Sequence, residues 1–273
     1  MSNLVLRFLT AVVAVPLLIL AISWKEPYGV WAWILIAQVT GLREWMNMTL
    51  PAESAATRWL GVLCGVLLGN LFCWVPDGHI QQFGLFAVTS IGLLYFLFVH
   101  GNIETVASRM SMWMLGILYA GVLIVPLVMF KTTPKLGGGF IYVCLTSAWV
   151  SDTGAYFAGR FLGPMIPAKL WPAVSPKKTW IGSVGGLLGS VLALCVAKLW
   201  YLPMLSWLDV FAIAIPANIL GQLGDLVESL IKRSVGVKDS SSALPGMGGV
   251  LDVLDSLLFA APIMYIYILL FSR

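Results

Sequence analysis

The chain has 273 residues, of which 60% are apolar and only 10% charged, with a net charge of +4. A domain that folds in water carries roughly 25% charged residues, so an ordinary soluble protein is excluded; a disordered chain, which needs low hydrophobicity and high net charge, is excluded as well. The basic residues are not gathered into a tail, which argues against a nucleic-acid partner.

A helix needs about 20 residues to cross hydrocarbon. The apolar runs are continuous, whereas barrel strands would alternate, so helices are expected. The predicted fold class is all-α: a polytopic integral membrane protein with about nine transmembrane helices, at about 4–23, 28–47, 59–75, 83–100, 112–130, 139–158, 180–200, 207–227 and 251–271. The first run has signal-peptide features, with Ala21 and Ser23 as small cleavage-site residues. Its length and the spans that follow favour a retained helix instead. With the N-terminus in the cytoplasm, eleven Lys and Arg residues fall on the cytoplasmic side and five, Lys25, Lys131, Lys135, Lys198 and Arg273, on the other. Arg7 is among the eleven. That asymmetry predicts N-terminus in and C-terminus out.

Two regions are expected. Residues 1–140 form N-terminal transmembrane helices that pack, dimerise or face lipid; residues 141–273 form a C-terminal catalytic region with cytoplasmic loops. In the first, Gly61, Gly65 and Gly69 make a small-residue stripe that reads as a packing or dimer face. Arg43 and Glu44, near a span end, read as an interfacial pair. Cys64, Cys73, Cys144 and Cys195 stand singly in apolar runs and read as small packing residues rather than metal or redox groups. His79 and His100 lie away from the acidic residues, so neither a zinc site nor a histidine base is expected.

Asp152, Asp225, Glu228, Asp239, Asp252 and Asp255, half of the twelve acidic residues, lie within 150–256, and the connections at about 159–179 and 228–250 are the longest polar stretches. Charge beside hydrocarbon is costly and marks function by default. Four segments carry it. In Ser151-Asp152-Thr153-Gly154-Ala155-Tyr156, continuing to Arg160, Asp152 is either a helix-end carboxylate bonded locally or part of a site. In Ser175-Pro176-Lys177-Lys178-Thr179-Trp180, lysines and hydroxyls precede a helix whose N-terminus favours an anion. Gly182, Gly185, Gly186 and Gly189 follow and admit either a ligand or another backbone. On the next span, Asp225, Glu228 and Ser229 share one helical face, which Lys232 extends. These are hard oxygen donors for Mg²⁺ with cations beside them for phosphate. Lastly, Asp252 and Asp255 open the final span behind a Gly-rich turn, as caps for free amides or as metal ligands. No P-loop occurs.

The run Ser229, Lys232-Arg233, Lys238-Asp239, Pro245-Gly246, Gly248-Gly249, Asp252 and Asp255-Ser256 closely resembles the signature of phosphatidate cytidylyltransferases (CDP-diacylglycerol synthases). The segments at 151–156 and 175–180 are similar to that family as well, and the resemblance covers about residues 145–262. It departs at three places: Met247 stands where the family usually has His, Val253 where it has Arg, and Ile181 where it has Glu. The resemblance implies transfer from CTP to phosphatidate, giving CDP-diacylglycerol and pyrophosphate in phospholipid biosynthesis. The partners would be CTP, phosphatidate and membrane lipids, with Mg²⁺ as cofactor and a second cation left open. On that reading Asp225, Asp252 and Asp255 hold the metal and, with Lys232 and Lys238, form the catalytic set. Asp152, Ser175, Lys177, Lys178, Thr179, Ser229, Arg233, Asp239, Gly248 and Gly249 bind substrate. The expected location is the bacterial inner membrane, with the site at the cytoplasmic face and a homodimer as one possible assembly. The alternatives are a CTP-dependent enzyme with another lipid acceptor, a transporter that uses the acids as an ion site, and a degenerate scaffold.

Overall fold

In hydrocarbon there is no water to satisfy a backbone amide, so long apolar runs must close their hydrogen bonds internally. In the computed structural model, which describes residues 3–133 and 137–271 apart from a few side chains at its start, they do so as helices. Those helices are α1 (Asn3–Ser23), α2 (Tyr28–Thr49), α3 (Ala55–Trp74), α4 (Gly78–Phe98), α5 (Ile103–Gly116), α6 (Pro126–Thr132), α7 (Gly138–Phe161), α8 (Trp180–Trp200), α9 (Trp207–Ser234) and α10 (Val250–Phe271). The Arg7 side chain, Lys135 and Arg273, which entered the charge count, lie outside the described residues.

Among the described residues, six helical stretches are long and apolar enough to cross a membrane: α3, α4, the α5–α6 run, α8, α9 and α10. The protein is therefore an integral membrane protein; the expected count of nine crossings is not confirmed. All nine expected stretches contain helix. Polar side chains interrupt the apolar faces of α2 (Gln38, Arg43, Glu44) and α7 (Ser147, Ser151, Asp152, Arg160).

The chain divides into two compact units, Met1–Thr132 with Asp239–Val253, and Thr133–Lys238 with Leu254–Arg273. In the first, the core is built on Leu42, Trp45, Met46, Trp113 and Ile117, all fully buried. The glycine stripe of α3 is covered by the same unit. A Cβ at Gly61 would sit 2.5 Å from the Met46 Cε, one at Gly65 2.7 Å from a Leu42 methyl, and one at Gly69 would run into Gln38. The stripe thus packs α3 on α2 and presents no dimer face. The buried indoles find carbonyls, Trp45 Nε1 at Met112 O (2.8 Å) and Trp113 Nε1 at Thr57 O (3.1 Å). After α5 the chain widens into a π-helical turn, Ile117–Val122. Such a turn leaves carbonyls poorly served, and buried Gln38 donates to Gly121 O at 2.5 Å. Arg43 and Glu44 do not form the expected pair: Arg43 lies over the Trp59 ring at 5.5 Å, while Glu44 turns to the start of α10.

In the second unit α7 and α8 meet backbone to backbone. A Cβ at Gly154 would lie 2.5 Å from Gly185 O, and one at Gly189 2.6 Å from Val150 O. Close approach of another backbone is therefore what the α8 glycines serve, though Gly182 also reaches the cavity described below. Between these helices the Gly- and Pro-rich connection, expected as a loop, folds into an antiparallel hairpin, β1 (Lys169–Trp171) with β2 (Ser175–Thr179), register Lys169 opposite Thr179. Thr179 ends β2 and caps α8, its Oγ1 accepting from Gly182 N at 3.1 Å. Gly221 and Gly224 let α9 lie on α10: a Cβ at Gly224 would be 2.8 Å from Asp255 O.

Candidate active site

The second unit contains a cavity of about 450 Å³ bounded by α7, α8, α9, α10 and the hairpin. Its charged lining is Asp152 and Arg160 from α7, Lys177 and Lys178 from β2 and Asp225 from α9; Thr179 joins them. The hairpin explains the lysines' position. Pairing with β1 and the Thr179 cap hold the strand against the head of α8, so its lysines are presented by an ordered element instead of a free loop.

The electrostatics are dominated by acids. Lys178 Nζ lies 2.5 Å from Asp225 Oδ2, and Ser229 Oγ donates to Asp225 Oδ1 at 3.5 Å. Asp152 interacts with both Asp225 and Lys178. Asp255, brought to α9 by the Gly221–Gly224 contact, interacts with Asp225, Glu228 and Asp152. Glu228 is fully buried and pairs with Lys232 at 3.0 Å. Clustered carboxylates in an apolar setting favour the arrival of positive charge. Among the described residues no group of three or more His, Cys, Asp or Glu is arranged as a metal site. Mg²⁺ does not require one, because it commonly takes one or two protein carboxylates and completes its shell with phosphate and water oxygens. The hard oxygens of Asp225 and Asp255 fit that chemistry.

The remaining expected residues fall in other places. Ser175 is half-buried at the start of β2 and is not part of the cavity wall. Lys232 is committed to Glu228 rather than exposed for phosphate. Arg233 donates to Val237 O at 3.0 Å, and Lys238 and Asp239 are exposed; none of the three lines the cavity. Asp252 belongs to the first unit, where its Oδ2 accepts from Ser240 N (2.8 Å), Ser240 Oγ (2.7 Å) and Gly249 N (2.8 Å). Gly248 and Gly249 act through the backbone. Gly246 (φ 78°) and Gly248 (φ 97°) adopt the left-handed conformation that a tight Pro-Gly turn demands. In that turn the Met247 amide donates to Leu244 O at 3.0 Å. Val253 is 39% exposed.

Sequence reasoning missed a polar ladder below the charges. Asn218 Nδ2 donates to Ser151 Oγ (2.6 Å), Gln222 Nε2 donates to Asn218 Oδ1 (2.6 Å) and Ser183 O (3.1 Å), and Ser183 Oγ donates to Gln222. The signal was present: Asn218, Gln222 and Asp225 follow one another at four and three residues on an otherwise apolar helix.

Charged groups of both signs are gathered in a cavity of an integral membrane helix bundle. The chain belongs to the cytidylyltransferase family, matching it over residues 5–271. It is 33% identical over 270 residues to the phosphatidate cytidylyltransferase of Staphylococcus epidermidis, covering 96% of this chain and 98% of that protein. It is 32% identical over 274 residues to that of Brucella suis, covering 100% of this chain and 96% of the relative. The Bacillus subtilis enzyme of the same name is 38% identical over 161 residues, 58% of each chain.

Proposed function

We propose that the chain transfers the cytidylyl group of CTP to phosphatidate, yielding CDP-diacylglycerol and pyrophosphate, at the cytoplasmic face of a bacterial inner membrane. The observation that carries this reading is the cavity between membrane-type helices that brings Lys177 and Lys178 together with Asp152 and Asp225. A nucleotide phosphate needs the lysines, and a water-soluble and a lipid substrate can meet only at such a boundary. The Staphylococcus epidermidis and Brucella suis enzymes named above are phosphatidate cytidylyltransferases, and they are similar to this chain over nearly its whole length.

In the reaction a phosphatidate oxygen bonds to the α-phosphorus of CTP, the bond from that phosphorus to the bridging oxygen breaks, and pyrophosphate leaves with its electron pair. The attacking oxygen is already ionised, so no strong base is required. Positioning and charge neutralisation then supply the catalysis. Lys177, Lys178 and Arg160 offset phosphate charge, and Thr179 fixes the hairpin that carries the lysines. Asp225 and Asp255 would hold Mg²⁺, which supplies further neutralisation of the triphosphate when bound. Asp152 orients Lys178. Asp252 holds the turn that opens α10, and we rank it after Asp225 and Asp255 as a candidate metal ligand.

The test is direct. Detergent-purified protein with labelled CTP, phosphatidic acid and Mg²⁺ should form CDP-lipid and release pyrophosphate. Product only with a different lipid acceptor would replace the substrate assignment, and ion flux in liposomes without nucleotide turnover would replace the enzyme by a transporter. Lys177→Ala is expected to raise the KM for CTP roughly tenfold with a smaller change in kcat, since each 1.4 kcal/mol of lost charge-assisted binding is a factor of ten. Steady-state kinetics at saturating phosphatidate measures the split.

A further inference from the structure

The buried carboxylate of Glu44 has no place in the reaction as derived, yet it gathers four donors from a segment about 200 residues away in sequence. It is 6% exposed. Its Oε1 accepts from Ser241 Oγ at 2.6 Å and Val250 N at 2.9 Å; its Oε2 accepts from Leu251 N at 2.9 Å and Ser240 Oγ at 3.2 Å. The first amides of a helix have no partner within it, and usually a residue just before the helix caps them. Here the caps of α10 come from α2 and from within α10. Glu44 takes the amides of Val250 and Leu251, and Asp252 takes that of Gly249. Ser240 joins the two acids, its Oγ lying within hydrogen-bond distance of both. The fit is close: a Cβ at Gly249 would stand 2.7 Å from either oxygen of Glu44.

We infer that Glu44 is a positioning residue for the reaction: it fixes the 240–251 segment and the first turn of α10, and with them Asp252. This rests on the function proposed above. A neutral substitute serves worse for a definite reason. Gln keeps one carbonyl oxygen but puts an NH₂ group opposite a backbone N–H, so one of the two amides loses its acceptor. Ala leaves both without one.

Two readouts on purified full-length protein test the inference, hydrogen exchange of the peptides spanning 240–252 and steady-state kinetics with CTP, phosphatidic acid and Mg²⁺. Glu44→Gln should speed exchange at Gly249, Val250 and Leu251 and lower kcat roughly 10–100-fold, the range for groups that orient ligands rather than touch the reacting atoms. The KM for CTP should change less. Glu44→Ala should exceed Glu44→Gln in both readouts. Ser54→Ala, which removes the α3 cap (Thr57 N to Ser54 Oγ, 3.1 Å), serves as the control; it should lower the melting temperature and leave kcat unchanged. Unchanged exchange and kcat in Glu44→Gln would overturn the inference. So would a loss of kcat that tracks a global loss of protection, or the absence of any folded Glu44 variant, since Glu44 would then be needed only for folding. If the wild type makes no CDP-lipid, the function reading falls by itself, and the exchange arm still decides whether Glu44 holds the segment.

Discussion

Replacing Asp225 by Asn should lower CDP-lipid formation roughly 10²–10³-fold, the loss seen when one preorganised group that stabilises transition-state charge is removed. The fold should survive. Asp225 is half-buried on the cavity side of α9, and the helix packing beneath it runs through Gly221 and Gly224, which the substitution leaves intact. A simpler role is open to the same carboxylate, because it could serve only to neutralise Lys178, 2.5 Å away. The two roles separate in a double-mutant cycle. If Asp225 acts only through the lysine, adding Asp225→Asn to Lys178→Met should cause no further loss of activity. If Asp225 holds a cation against the triphosphate, the double variant should be clearly less active than Lys178→Met alone. Full activity of the single variant would remove Asp225 from the mechanism altogether.

What the sequence disclosed and what it hid follow from the range over which each physical signal acts. Spans were legible because the bilayer imposes one rule on every residue: continuous apolarity over a fixed length. The rule does not tell a lipid-crossing helix from one that buries polar groups inside the protein, as α2 does with Gln38 and Glu44. The cavity charges Asp152, Lys177, Lys178 and Asp225 were legible because charge in so apolar a chain needs a reason to persist. The hairpin was not, since Gly and Pro mark turns without saying that Lys169–Trp171 and Ser175–Thr179 will pair. Arg233, Lys238 and Asp239 share a signature-like run with Ser229, yet they do not line the cavity. Glu44 could not be recognised locally at all, because its partners lie at 240–251 and only folding brings them to it. The departures at Met247 and Val253 look less costly in the structure than in the sequence. The turn at Met247 is closed by its backbone amide, and Val253 lies on an exposed face.

The largest effect on stability should come from Gly185→Ala, a change that adds a single methyl group. That Cβ would lie 2.7 Å from Gly154 O and closer still to the Ala158 Cβ. Neither neighbour is the tip of a flexible side chain, so α7 and α8 must move apart. Overpacking of this kind costs about 1–3 kcal/mol, and in lipid the loss of close backbone contact has no hydrophobic gain to offset it. Activity should fall with stability, because Asp152 stands on α7 and Lys178 lies two residues before α8, so the seam between these helices sets their separation. Adding Ala158→Gly should restore part of both, since it removes the nearer clash and leaves the one with Gly154 O. Gly78→Ala supplies the contrast: a Cβ there meets nothing within 4 Å, and its melting temperature and turnover should match the wild type. Melting curves in detergent, read beside CDP-lipid formation, check all three. A Gly185→Ala protein as stable and active as the wild type would mean that the helices are not in contact along this seam, and that the cavity walls are set by something else.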